Sequence, residues 1–87
     1  MTTYEAITIT DSKIWHKIQS ESGFIYVNSG VAIIAMTDKN QDGEDTYPSI
    51  TTGLRVISNN KIEVPENTTI YAKCEEPALN TVITPNY

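Results

Sequence analysis

The chain has 87 residues, a single cysteine, and 11 acidic against 6 basic side chains, which gives a net charge of −5. This length allows one small domain, and the lone Cys74 excludes an intrachain disulfide. The acidic balance repels nucleic-acid phosphate and anionic membranes, so we expect neither as a partner. A chain this short buries only about 60–65% of its unfolded surface, so we expect metal binding or association with other subunits to add stability.

The composition and the pattern of apolar residues predict a β protein. Ile, Val and Thr make up roughly a third of the chain, while Leu and Ala are scarce, and β-branched side chains favour strands over helices. Alternating or short apolar runs, separated by turn signals, predict strands at 4–10, 13–19, 24–27, 31–36, 53–58, 61–64, 68–74 and 78–84. We therefore predict a single all-β domain over residues 1–87, a small antiparallel β-sandwich or barrel of seven to eight short strands.

Two tight turns predict β-hairpins. The first turn, at residues 28–30, has the sequence Asn-Ser-Gly, and it predicts that the third and fourth runs pair with each other. The second turn is Asn59-Asn60, which predicts a hairpin of the fifth and sixth runs because Asn tolerates the left-handed conformation.

A long acidic loop, residues 37–49, separates the fourth and fifth runs. Asp38, Asn40 and Asp42 are followed by a glycine and match the first half of a calcium loop, in which alternate side chains converge on one ion. The twelfth position, where a bidentate Glu closes such a site, is Ser49. The sequence leaves two interpretations, an exposed acidic turn, which we favour, and a weak calcium site.

Residues for catalysis are scarce. His16 is the single histidine and Cys74 the single cysteine, so one chain cannot assemble a zinc site or a His-based triad. We therefore predict no catalytic residues, no cofactor and no enzymatic activity. Cys74 continues the alternating face of Ile70 and Ala72, which predicts a buried, inert thiol.

Three aromatic residues are candidates for contacts with a partner, because aromatic side chains with a polar tip are enriched at interfaces. They are Trp15, Tyr47 in the acidic loop, and Tyr87 at the tail. Trp15 faces opposite Ile14 and Ile18 on its predicted strand. One of these two faces therefore needs a second layer or a partner, which favours oligomerisation.

The strands, turns and loop of this sequence follow a definite order. Trp15 begins an alternating strand, and the run 24–33 with its turn comes next. Pro48 and then Gly53-Leu54 follow the polar loop, and the run 70–73 precedes the last strand. This order, over roughly residues 15–83, resembles small all-β virion structural proteins of tailed bacteriophages. The resemblance implies a non-enzymatic protein of the virion, assembled in the host cytoplasm as a homotrimer. It implies a decoration or cement protein bound to capsid subunits, or alternatively a tail or fibre component that contacts the host surface. The acidic loop is not part of the family pattern.

Overall fold

The computed structural model describes residues 5–49, 53–76 and 80–85. These residues form eight strands: Ile7–Ile9 (β1), His16–Gln19 (β2), Gly23–Ser29 (β3), Val31–Asp38 (β4), Leu54–Ile57 (β5), Asn60–Val64 (β6), Thr68–Cys74 (β7) and Thr81–Thr84 (β8). Within these ranges, no helix has the length and apolar character needed to cross a membrane. The predicted strand positions 4 and 78–79 lie outside the described residues.

The strands form two four-stranded antiparallel sheets that pack as a sandwich. The first sheet has the order β1-β8-β3-β6 and the second has the order β2-β7-β4-β5. The all-β prediction is confirmed, and of its two architectures the sandwich is correct and the closed barrel is not. This strand order is that of a jelly roll, in which two Greek keys share two facing sheets.

The pairing is nearly symmetric in sequence about Glu44, in the acidic loop. Pairs at increasing distance from this loop are Ile33 with Arg55, Phe24 with Glu63, Lys17 with Tyr71, and Ile7 with Ile83. The chain therefore folds as one long antiparallel ribbon that has the acidic loop at its tip. Pairing of β3 with β8 and of β4 with β7 then converts the ribbon into two sheets. The acidic loop joins neighbouring strands of one sheet, β4 and β5.

Both predicted hairpins are wrong. β3 and β4 lie in different sheets, and so do β5 and β6. The chain does turn at both predicted positions, because Gly30 (φ 76°) and Asn59 (φ 66°) adopt left-handed conformations. A side chain at position 30 would also clash with the carbonyl oxygen of Asn80, just before β8. These turns carry the chain from one sheet to the other, because turn chemistry specifies a reversal of direction and not the sheet that the next strand joins.

The inner core lies between the sheets and is almost entirely aliphatic. Its buried members are Ile9, Ile18, Ile25, Val27, Ala32, Ile34, Val56, Val64, Ile70, Ala72, Cys74 and Ile83. Cys74 is 1% exposed, so the prediction of a buried thiol is confirmed. Burial raises the pKa of this thiol, which keeps it protonated and unreactive near neutral pH.

Candidate functional site

A second apolar cluster lies on the outer face of the second sheet, opposite the inner core. It contains Trp15, Ala35 and Tyr71, with Ile33 packed against it. Trp15 is 6% exposed although it lies on the outer face. Alternating residues of β4 and β7 thus bury both sides of this sheet, as expected for strands in the middle of a layered structure.

The cover over this outer cluster is part of the acidic loop, residues 44–49, which we call the strap. The hydroxyl oxygen of Tyr47 accepts a hydrogen bond from the backbone N–H of Trp15 at 3.0 Å. The Tyr47 ring meets Tyr71 edge to face, with centroids 5.6 Å apart, a favourable geometry for two aromatic rings. Pro48 is buried. The second layer that Trp15 requires is therefore supplied by the chain itself.

Polar contacts hold the strap beside the aromatic rings. The Asp45 carboxylate accepts hydrogen bonds from the Lys17 ammonium at 2.9 Å and from the Thr69 hydroxyl at 2.8 Å. These two hydrogen bonds, the Lys17 bond first, hold the pKa of Asp45 below its usual value. The hydrogen bond between Lys17 and Asp45 also raises the pKa of Lys17. In addition, the Thr37 hydroxyl donates to the carbonyl oxygen of Thr46 at 2.6 Å.

The Trp15 ring is also contacted from within the sheet. The ammonium of Lys73 lies 4.4 Å from the ring centroid, a cation–π distance. A Cβ at Gly53 would come within 2.9 Å of the edge of this ring. Glycine at position 53 therefore leaves the space that the indole occupies.

The calcium-pattern residues Asn40 and Asp42 lie in a turn that leads into the strap. The side-chain oxygen of Asn40 accepts hydrogen bonds from the backbone N–H groups of Asp42 and Glu44, each at 2.9 Å. Asp38 ends β4 and is exposed. Across residues 5–49, 53–76 and 80–85, no group of three or more His, Cys, Asp or Glu side chains is placed to hold a metal ion. Calcium binding stays a prediction, and a higher thermal midpoint in millimolar calcium would support it.

The structure brings together two of the three predicted contact residues. Tyr47 contacts Trp15 through a hydrogen bond, and Tyr87 lies outside the described residues. Tyr47 remains 55% exposed, so its outer surface is available to a partner while Trp15 is covered. Sequence reasoning did not connect Lys17 with Asp45, because a contact between side chains 28 positions apart leaves no local signal.

Exposed apolar side chains mark a different surface, at the edge of the second sheet. β5 is the outermost strand there, and its Leu54 and Ile57 are 67% and 53% exposed. Met36, on the neighbouring strand, is 46% exposed. Among the described residues, β5 pairs on one side only, with β4, and an edge strand with apolar side chains on both faces favours contact with another protein.

Comparisons with protein-family models, with curated proteins and with solved structures found no match to this chain.

Proposed function

We propose that this protein is a structural component of a bacteriophage virion that decorates or cements the head by binding capsid subunits. The observation that carries the proposal is the strand order, because jelly-roll sandwiches are used by viral capsid proteins. The strand order supports this role by analogy of fold. The order of sequence features over residues 15–83 supports the same class of protein.

The edge strand β5 provides the means of binding. Leu54 and Ile57 project from opposite faces of β5, which is the edge strand among the described residues, so a partner can bury both and also pair with the backbone. Such contacts raise the stability of a small domain by linkage to assembly. In this proposal three copies of the chain associate with one another and with the capsid, without a chemical reaction.

The location on the particle tests the proposal. We expect antibody-gold label against this protein to cover the heads of assembled particles uniformly. Label confined to tails would replace the proposal with the alternative of a tail or fibre component. Absence of the chain from purified particles, measured by mass spectrometry, would exclude both.

A pair of variants tests the binding surface. Leu54→Lys places a charge on the β5 edge, and we expect it to lower occupancy on heads at least about tenfold because charged edges resist pairing. The matched control is Ile14→Lys, at a position that is similarly exposed (55%) but lies outside β5. Equal occupancy of the two variants would contradict the assignment of the β5 edge.

A further inference from the structure

The strap, residues 44–49, differs from the rest of the sandwich in how it is held. It belongs to no strand of the described chain, and side chains make its contacts with the strands: the Asp45 carboxylate with Lys17 and Thr69, the Tyr47 ring and hydroxyl with Tyr71 and Trp15, and the Thr37 hydroxyl with the Thr46 carbonyl oxygen. Its first residue, Glu44, also accepts a backbone hydrogen bond from Asn40 within the same loop. The strands beneath are joined by backbone ladders, of which β4 with β7 is the longest. Segments held by few, partly exposed contacts open before the ladders separate.

The face beneath the strap is formed mainly by residues of the strands of the second sheet. Tyr71 and Ala35 belong to the strands β7 and β4, and they are paired neighbours in that ladder. Lys17 belongs to β2 and pairs with Tyr71. Lys73 belongs to β7, and its ammonium contacts the Trp15 ring without involving a strap residue. Opening of the strap would therefore uncover a preformed surface of aromatic rings beside a cation.

The strap itself shows which chemistry this surface accepts. Asp45 and Tyr47 are two residues apart, so in an extended segment their side chains fall on the same side. The carboxylate reaches Lys17, and the aromatic ring lies against Tyr71. An extended segment of another protein with a carboxylate two residues before a tyrosine would reproduce both contacts.

We propose that the strap opens as a unit while the two sheets stay folded, and that the uncovered face docks an extended carboxylate-x-tyrosine segment from another chain. The strap is then an intramolecular competitor that keeps the site closed until such a segment is concentrated nearby. This proposal does not depend on a role in the virion.

The test uses Trp15, the single tryptophan of the chain, as a fluorescent reporter. In the double variant Asp45→Asn, Tyr47→Ala we expect red-shifted emission and stronger quenching by acrylamide, with a far-UV circular dichroism spectrum like that of the wild type. A synthetic peptide with the sequence of residues 44–49 should reverse the shift and saturate at about millimolar concentration. A control peptide with Asn and Ala at the Asp and Tyr positions should have no effect. Unchanged emission in the folded variant, or equal effects of the two peptides, would overturn the proposal.

A measurement on the wild-type chain covers the case in which the variant fails to fold. The backbone N–H of Trp15 donates to the Tyr47 hydroxyl, whereas ladder amides such as that of Ala72 lie in the centre of the sheet. If the strap opens alone, native-state hydrogen exchange at Trp15 will be at least about tenfold faster than at the ladder amides. Equal protection at the two positions would show that the strap opens only with the whole domain and would overturn the proposal.

Discussion

The inner core and the outer cluster bury apolar surface on the two sides of the same sheet, by different means. The inner core is aliphatic, is contributed by strands of both sheets, and includes Ile25, Ile70 and Ile83 at 0% exposure. The outer cluster contains two aromatic side chains, Trp15 and Tyr71, and an irregular segment covers it through side-chain hydrogen bonds and one ion pair. The difference indicates that burial in the inner core depends on the packing of two sheets, whereas burial of the outer cluster depends on the side-chain contacts of one loop segment.

The largest loss in the free energy of unfolding is expected from a substitution in the inner core. Ile70→Ala removes buried methyl groups from β7 at the centre of the second sheet and leaves a cavity, so we expect a loss of about 2–5 kcal/mol in the free energy of unfolding. Urea denaturation followed by circular dichroism measures this loss. Ile14→Ala, at a position 55% exposed, is the control and should change stability by less than about 0.5 kcal/mol. Similar losses in both variants would contradict the assignment of the core.

The next largest loss of stability is expected at the turn between β3 and β4, where the chain crosses from one sheet to the other. The acidic loop at the tip of the ribbon provides the comparison. Gly30 and Gly43 have nearly equal φ values of 76° and 78°, so alanine introduces similar backbone strain at each. A Cβ at position 30 strikes the Asn80 carbonyl oxygen, whereas a Cβ at position 43 meets nothing within 4 Å. We expect Gly30→Ala to cost about 1–3 kcal/mol more than Gly43→Ala in urea denaturation. Equal costs would mean that backbone strain alone accounts for both.

A smaller effect is expected at the outer cluster. Tyr47→Phe keeps the ring against Tyr71 but removes the hydroxyl that accepts the Trp15 N–H, so we expect a loss of about 1 kcal/mol in the free energy of unfolding. The near-UV circular dichroism of Trp15 should change while the far-UV spectrum stays constant. Tyr26→Phe is the control, because it removes a tyrosine hydroxyl on the other sheet and should leave the near-UV signal of Trp15 unchanged.

The smallest effect is the pH dependence of the strap. Hydrogen bonds from Lys17 and Thr69 lower the pKa of Asp45 in the folded chain below its ordinary value of 3.8. The carboxylate therefore stabilises the folded state fully above pH 3.8, and this contribution is lost as the pH falls through the lower folded-state pKa. We expect the thermal midpoints of the wild type and Asp45→Asn to differ near neutral pH and to converge in strong acid. The effect should also shrink in high salt, because the ion pair is exposed. A difference independent of pH would contradict a role for the Asp45 charge.

The local features of the chain were predictable because they depend on neighbouring residues. The excess of Ile, Val and Thr, together with the period-two alternation, predicted strands that overlap all eight observed ones. The reversals at Gly30 and Asn59 and the burial of Cys74 were likewise predicted from sequence. Each of these properties follows from the conformational preference of a residue or from its phase within a strand.

Tertiary structure decided which strands pair and what covers Trp15. The same turn signals suit a hairpin and a crossing between sheets, so the choice depended on the partners available to β3 and β4 elsewhere in the chain. The acidic loop was predicted to be an exposed turn or an ion site, and its second half instead closes the outer face through Asp45 and Tyr47. Contacts between residues far apart in sequence depend on the completed fold, which places Lys17 and Trp15 beside a loop that follows them by about 30 residues.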